Sequence, residues 1–172
     1  MMDEPVFESM LSSHGSEIFA FLWRMVGDGT EAEDCLQETF LRAFKAFPRL
    51  EAGANHRAWL YAIANNVART YLKRRAGSDA RMSVLEEDRP DGGASVEGIV
   101  ERRQELEFVR RAVRTLPHKQ WAALMLRKYH GLEYSEIAGA LGCSEASARA
   151  NVYQGLKRLR TLIAREPQRV EQ

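Results

Sequence analysis

Two cysteines in 172 residues are too few for a disulfide framework. Cys35 and Cys143 both fall in helical patterns where a small buried side chain fits, so they read as structural thiols in a reducing compartment. The four histidines, His14, His56, His118 and His130, keep no ligand-like spacing with cysteines or acids, so no metal site and no cofactor are expected. No stretch approaches the roughly 20 apolar residues of a membrane helix. The opening MMDEPVFESM is acidic and lacks the apolar run of a signal peptide, so a soluble, cytoplasmic protein is expected. Strand-like alternation and internal repeats are missing. So are a phosphate-cradling loop and a nucleophile–base pair, so no catalytic residue and no enzymatic reaction are expected.

Net charge is only +1, but its distribution is informative. Residues 1–40 hold nine acids and one base, whereas residues 41–75 hold eight bases and one acid. Residues 76–104 carry a net −3 and residues 105–172 a net +5. Two basic blocks separated by an acidic one suit two contacts with a polyanion, leaving an acidic surface for another partner.

The patterned segments have helical period. Phe7 to Met25 reads as an amphipathic helix ending at Gly27-Asp28-Gly29. Thr30 is expected to cap the next helix, with Glu33 completing a capping box, and Pro48 to stop it near Phe47. A third helix runs from His56 through Arg75. The stretch AGSDARMSVLEEDRPDGGAS then reads as a flexible acidic linker. Helix resumes near Val96 to Leu116, and Pro117 opens another to Tyr129. The expected fold is all-α, with two small helical domains, 1–76 and 104–172, joined by a linker over 77–103. The last residues, Arg165 to Gln172, read as a frayed end.

From Tyr134 to Ile163 the chain reads as a helix, a tight turn and a long basic helix. Ile137, Ala138 and Leu141 share one face, and Ala138 is small enough to let the helices cross closely. Gly142 stands where a helix end wants positive φ, and Ser144 is placed to cap the second helix. Ala148, Val152, Leu156, Leu159 and Ile163 form an apolar stripe. Arg149, Asn151, Tyr153, Gln154, Lys157, Arg158 and Arg160 lie opposite. This is the pattern of a helix-turn-helix whose second helix enters the major groove; an ordinary helical hairpin with a solvated basic face would share it.

Two segments of the first half carry chemistry of their own. In DGTEAEDCLQETFLRAFKAF, Leu36, Phe40, Ala43, Phe44 and Phe47 read as the core stripe. Asp34, Gln37, Glu38 and Arg42 cluster on consecutive turns and suit a protein interface, although acid-to-base order also complements the helix dipole. In HRAWLYAIANNVARTYLKRR, Trp59, Leu60, Ile63, Val67 and Leu72 read as core. Asn65, Asn66, Arg69, Thr70, Lys73, Arg74 and Arg75, interleaved with Tyr61 and Tyr71, supply amides, cations and stacking rings for nucleic acid.

Together these segments resemble a bacterial sigma factor of the extracytoplasmic-function class, group IV of the sigma-70 family. AEDCLQETFLRAFKAF is similar to the region 2 helix that grips the clamp helices of RNA polymerase. HRAWLYAIANNVARTYLKRR resembles the next helix, which takes the melted −10 element. LPHKQWAALMLRKYHGLEYSEIAGALGCSEASARANVYQGLKRLR resembles region 4, which reads the −35 element. The resemblance implies clamp contacts from Asp34, Gln37, Glu38 and Arg42. It implies a base-holding specificity loop over Phe47 to Asn55, including Leu50, and −10 strand contacts from Asn66, Arg69 and Lys73. It implies −35 contacts from Lys119, Arg149, Ala150, Tyr153, Gln154 and Lys157.

Implied partners are core RNA polymerase (clamp helices of the β′ subunit and flap of β), promoter DNA and an anti-sigma factor. The linker would run near the RNA exit path. The family's frequent Thr-Val-Lys/Arg-Ser-Arg is replaced here by Ser147, Ala148, Arg149, Ala150 and Asn151, and Gln154 replaces a frequent Arg. These changes bear on which −35 letters are read, because Gln favours adenine where Arg favours guanine. A helix-turn-helix regulator binding a palindrome as a dimer, and an adaptor using the same faces on proteins, are the alternatives.

Overall fold

The computed structural model describes residues 4–82, 108–109 and 111–165. Every regular element among them is helical. Helix α1 spans Glu4–Val26, α2 Gly29–Ala46, and a 3-10 turn Phe47–Arg49. Helix α3 spans His56–Met82, α4 His118–Lys128, α5 Tyr134–Leu141 and α6 Glu145–Ala164. Most of the expected linker, and all of the expected frayed end except Arg165, lie outside the described residues.

Helices α1, α2 and α3 pack on one another as a first lobe. Gly27 turns the chain between α1 and α2 at φ 84°. The cap of α2 is Asp28, not Thr30: the Asp28 carboxylate accepts the Glu31 N–H at 3.0 Å. Asp28 holds the extended backbone a cap requires, while Thr30 already lies inside the helix.

Helix α2 is also rotated from its expected phase. Ala32, Cys35, Thr39 and Ala43 face inward. Phe44 is exposed, and Leu36, Phe40 and Phe47 are only partly covered. The cause is close packing: α2 lies against both α1 and α3, so its small residues take the seam and its aromatics flank it. Buried Thr39 satisfies its hydroxyl by donating to Cys35 O at 2.7 Å. Helix α3 continues to Met82, through residues that composition suggested were linker.

Helices α4, α5 and α6 form the second lobe. Pro117 occupies the cap position of α4 and not its first turn. Gly142 ends α5 in the left-handed region (φ 61°, ψ 47°), and the Ser144 hydroxyl accepts the Ser147 N–H at 3.1 Å to start α6. Ala148 and Val152 are buried, Leu156 and Leu159 partly so, and Ile163 is exposed, so the apolar stripe stops before its expected end. Gly155 is the residue that lets α6 approach α4, because a Cβ there would lie 3.0 Å from the Gln120 carbonyl oxygen.

The lobes are not held by the chain alone. Helix α3 packs on α5, α1 touches α4, and the buried apolar cluster runs continuously through both lobes. The junction is polar at its edges. Arg57 donates to Glu17 from Nε at 3.0 Å and from Nη2 at 2.8 Å, and Nη2 also donates to His130 O at 2.6 Å. Glu17 further accepts the Tyr61 hydroxyl at 3.1 Å. Asn55 Nδ2 donates to Glu136 Oε1 at 3.0 Å, and His118 Nε2 lies 2.7 Å from Asn65 Oδ1. The His130 ring packs against Phe21 and Tyr61, and the Arg24 guanidinium lies 4.6 Å from the Tyr129 ring centre.

Candidate nucleic-acid and protein interfaces

On α2, Asp34, Gln37 and Arg42 are exposed and Glu38 is half-buried, all on the side turned away from the core. Arg42 Nε donates to Glu38 Oε1 at 2.6 Å across one turn. Leu41 and Phe44 stand exposed beside them. An apolar pair rimmed by polar groups is the composition of a protein-docking face. The sequence pattern placed Phe44 in the core and so missed half of that apolar pair.

The loop before α3 is partly committed to structure. Leu50 is half-buried, and its N–H donates to Phe47 O at 3.0 Å. Gly53 adopts φ 81°. Asn55 caps α3 by accepting the Ala58 N–H at 3.0 Å while its Nδ2 donates to Glu136, so one acceptor and one donor site of its side chain are already committed.

On α3, Asn66, Arg69 and Lys73 are exposed on one face. Arg69 Nη2 donates to Asn66 Oδ1 at 3.3 Å. Two expected members of this face are not on it. Tyr61 is fully buried against Phe21, and Asn65 is buried against His118. Burial, aided by the Glu17 charge, pushes the Tyr61 phenol well above its usual range. Burial holds His118 down at about 4, with the Arg69 and Lys73 charges acting in the same sense. The exposed cations of α3 therefore border the junction between lobes.

On α6, Arg149, Ala150, Tyr153, Gln154 and Lys157 are all exposed and share one helical face. Arg149 Nη2 bonds Glu145 Oε1 at 2.8 Å, one turn earlier. Asn151 is turned back on its own helix, donating to Ser147 O at 2.9 Å. Lys119 is exposed in the first turn of α4. Among the described residues no cluster of three His, Cys, Asp or Glu side chains could hold a metal ion, and no helix is long and apolar enough to cross a membrane.

Comparison with known proteins follows the same two-lobe division. Residues 10–77 match the Sigma-70 region 2 family and residues 107–159 match Sigma-70, region 4. The chain is 32% identical over 160 residues to the RNA polymerase sigma factor CarQ of Myxococcus xanthus, covering 93% of this chain and 90% of that protein. It is 28% identical over 164 residues to the ECF RNA polymerase sigma factor SigE of Mycolicibacterium smegmatis, covering 94% of this chain and 63% of that one. Its fold is similar to that of the sigma factor RpoE solved with the anti-sigma factor NepR from Bartonella quintana, with a TM-score of 0.68, 22% identity, and 94% and 98% of the two chains covered. The dimeric-regulator and adaptor readings give way to this match across both lobes: the chain belongs to the extracytoplasmic-function sigma factors of the sigma-70 family, the transcription initiation factors of RNA polymerase.

Proposed function

We propose that the three exposed faces divide the work of initiation. The Asp34, Gln37, Glu38 and Arg42 face of α2, with Leu41 and Phe44, docks on the β′ clamp helices of core polymerase. Asn66, Arg69 and Lys73 of α3, with Leu50 in the preceding loop, hold the separated strand of the −10 element. Arg149, Ala150, Tyr153, Gln154 and Lys157 of α6 face the −35 major groove, while Lys119 meets phosphate near a helix N-terminus. The observation that carries this reading is the α6 face: five exposed residues, two of them cationic, on a helix started by Ser144 and set by the Gly142 turn.

Two such elements lie about 25 base pairs apart, roughly 85 Å of duplex at 3.4 Å per step. Helices α3 and α5 touch, so one closed molecule does not reach both. The lobes separate on polymerase, and the strand-binding cations at their border become fully available. Bound RpoE is held by an anti-sigma factor, and on that likeness of fold we propose a partner of the same kind for this chain.

The test is transcription in vitro with bacterial core polymerase on a genomic promoter library. Specific transcripts that require this chain and fade with Asp34→Ala/Glu38→Ala are expected. Transcripts unaffected by that variant would remove the α2 face from polymerase docking.

A further inference from the structure

Tyr134, the first residue of α5, lies where three helices of the second lobe meet. The guanidinium of Arg127, near the end of α4, sits 4.7 Å from its ring centre. That of Arg149, in the first turns of α6, sits 4.3 Å away. Each cation also has its own carboxylate. Arg127 pairs with Glu133 at 3.2 Å and donates to Leu132 O at 2.9 Å, and Arg149 pairs with Glu145 at 2.8 Å. The carboxylates offset the repulsion of two guanidiniums sharing one ring. Arg149 is thus held at two points, yet its side chain remains 60% exposed.

An arginine side chain samples many rotamers, and ordering it on DNA weakens binding unless it is already ordered. The first turns of a recognition helix are the part that contacts base edges. A guanidinium lying against a ring face keeps its in-plane N–H donors pointing outward, the geometry a bidentate contact to guanine needs.

From this we infer that Tyr134 is a positioning residue that fixes the Arg149 guanidinium for base readout in the −35 element. The inference rests on the proposed reading of α6, and nothing in the helix-turn-helix pattern assigns Tyr134 such a role. The ring acts through Arg149 and touches no base itself.

The experiment is transcription by the full chain with core polymerase on a library of single base-pair changes across the −35 element, comparing wild type, Tyr134→Leu, Tyr134→Phe, Arg149→Ala and the Leu/Ala double variant. Arg149→Ala is expected to flatten preference at one base pair. Tyr134→Leu is expected to lower discrimination at that same base pair by about three- to tenfold, the scale of one unfixed side chain, leaving other positions alone. Tyr134→Phe keeps a ring face and is expected to retain discrimination. The double variant is expected to match Arg149→Ala alone. In the free chain, the Arg149 Nε–H resonance is expected to lose its ring-current shift in Tyr134→Leu and keep it in Tyr134→Phe.

Equal weakening by Tyr134→Leu on every −35 sequence, as a merely structural role would give, overturns the inference while Arg149 stands as a reader. So does unchanged discrimination. If Arg149→Ala leaves every preference intact, the reading of Arg149 fails and the inference falls with it.

Discussion

At the scale of single residues, the Cys35 thiol is pushed up to about 11 by burial, then by the charges of Asp34, Glu31 and Glu38. Only the thiolate reacts, so at pH 8 on the order of one molecule in a thousand carries the reactive form. That low fraction slows reaction, and with Cys35 only 4% exposed the reagent also lacks access, so a Cys143→Ser chain is expected to show no thiol toward an aromatic disulfide reagent when native and one thiol when unfolded in denaturant. A full equivalent from the native chain would contradict this burial. Capping gives a second residue-level test. Asp28→Ala is expected to destabilise the first lobe by about 1 kcal/mol and Thr30→Ala by much less, read as midpoint shifts in urea. The sequence pattern pointed to Thr30, with Glu33 three residues on, and left Asp28 in the turn, although Asp28 stands in the same relation to Glu31. The choice turns on which backbone is extended, and side-chain chemistry does not encode that. Ser144 and Gly142 had no such competitor, and their roles were legible.

At the scale of elements, helix existence was easier to read than helix phase. Helix α2 has large apolar residues on one side and small ones on the next, and pattern alone favours the large ones as core. Two neighbouring helices pressed close invert that choice. The same logic explains why Gly155 escaped notice among the larger residues of the α6 stripe. Gly155→Ala tests the close crossing. Helix propensity alone would favour Ala by about 1 kcal/mol. A Cβ at 3.0 Å from a backbone oxygen forces α4 and α6 apart, an overpacking cost of roughly 1–3 kcal/mol. A net loss of up to about 2 kcal/mol is expected, measured as a lower urea midpoint for the second lobe. An increase would mean the helices accommodate the methyl freely.

At the scale of the whole molecule, the faces proposed for polymerase and for the −35 element consist of residues exposed or partly exposed on the surface, but the junction between lobes was not legible in the sequence. Its members are Glu17, Asn55, Arg57, Tyr61, Asn65, His118, His130 and Glu136. They are up to 81 positions apart in sequence, and no local period links such residues. Burial holds both His118 and His130 at about 4. Facing His118 are Asn65, Arg69 and Lys73, and facing His130 are Arg24, Arg57, Glu17, Phe21 and Tyr61.

A separated chain would protonate both imidazoles near 6.5, whereas the closed one resists until about 4. Closure is thus fully favoured above pH 6.5 and weakens as pH falls from 6.5 toward 4. Burial alone would raise the Glu17 pKa, but hydrogen bonds from Arg57, His14 and Tyr61 with the Arg57 charge outweigh it and hold it low; those partners all belong to the first lobe, so protonating Glu17 at the acid end loosens that lobe itself and not the closure. The radius of gyration from small-angle scattering is expected to grow over that window. At pH 7.5 Arg57→Ala should be larger than wild type, and equal radii throughout would deny the junction its role.

Lobes that close on each other also set a population. If only the open fraction engages a promoter through polymerase, apparent affinity is intrinsic affinity multiplied by that fraction. Holding the open form to about one molecule in ten takes only about 1.4 kcal/mol and weakens apparent binding tenfold. A substitution at Arg57, which lies outside α6, would then read in a promoter assay as a gain of activity.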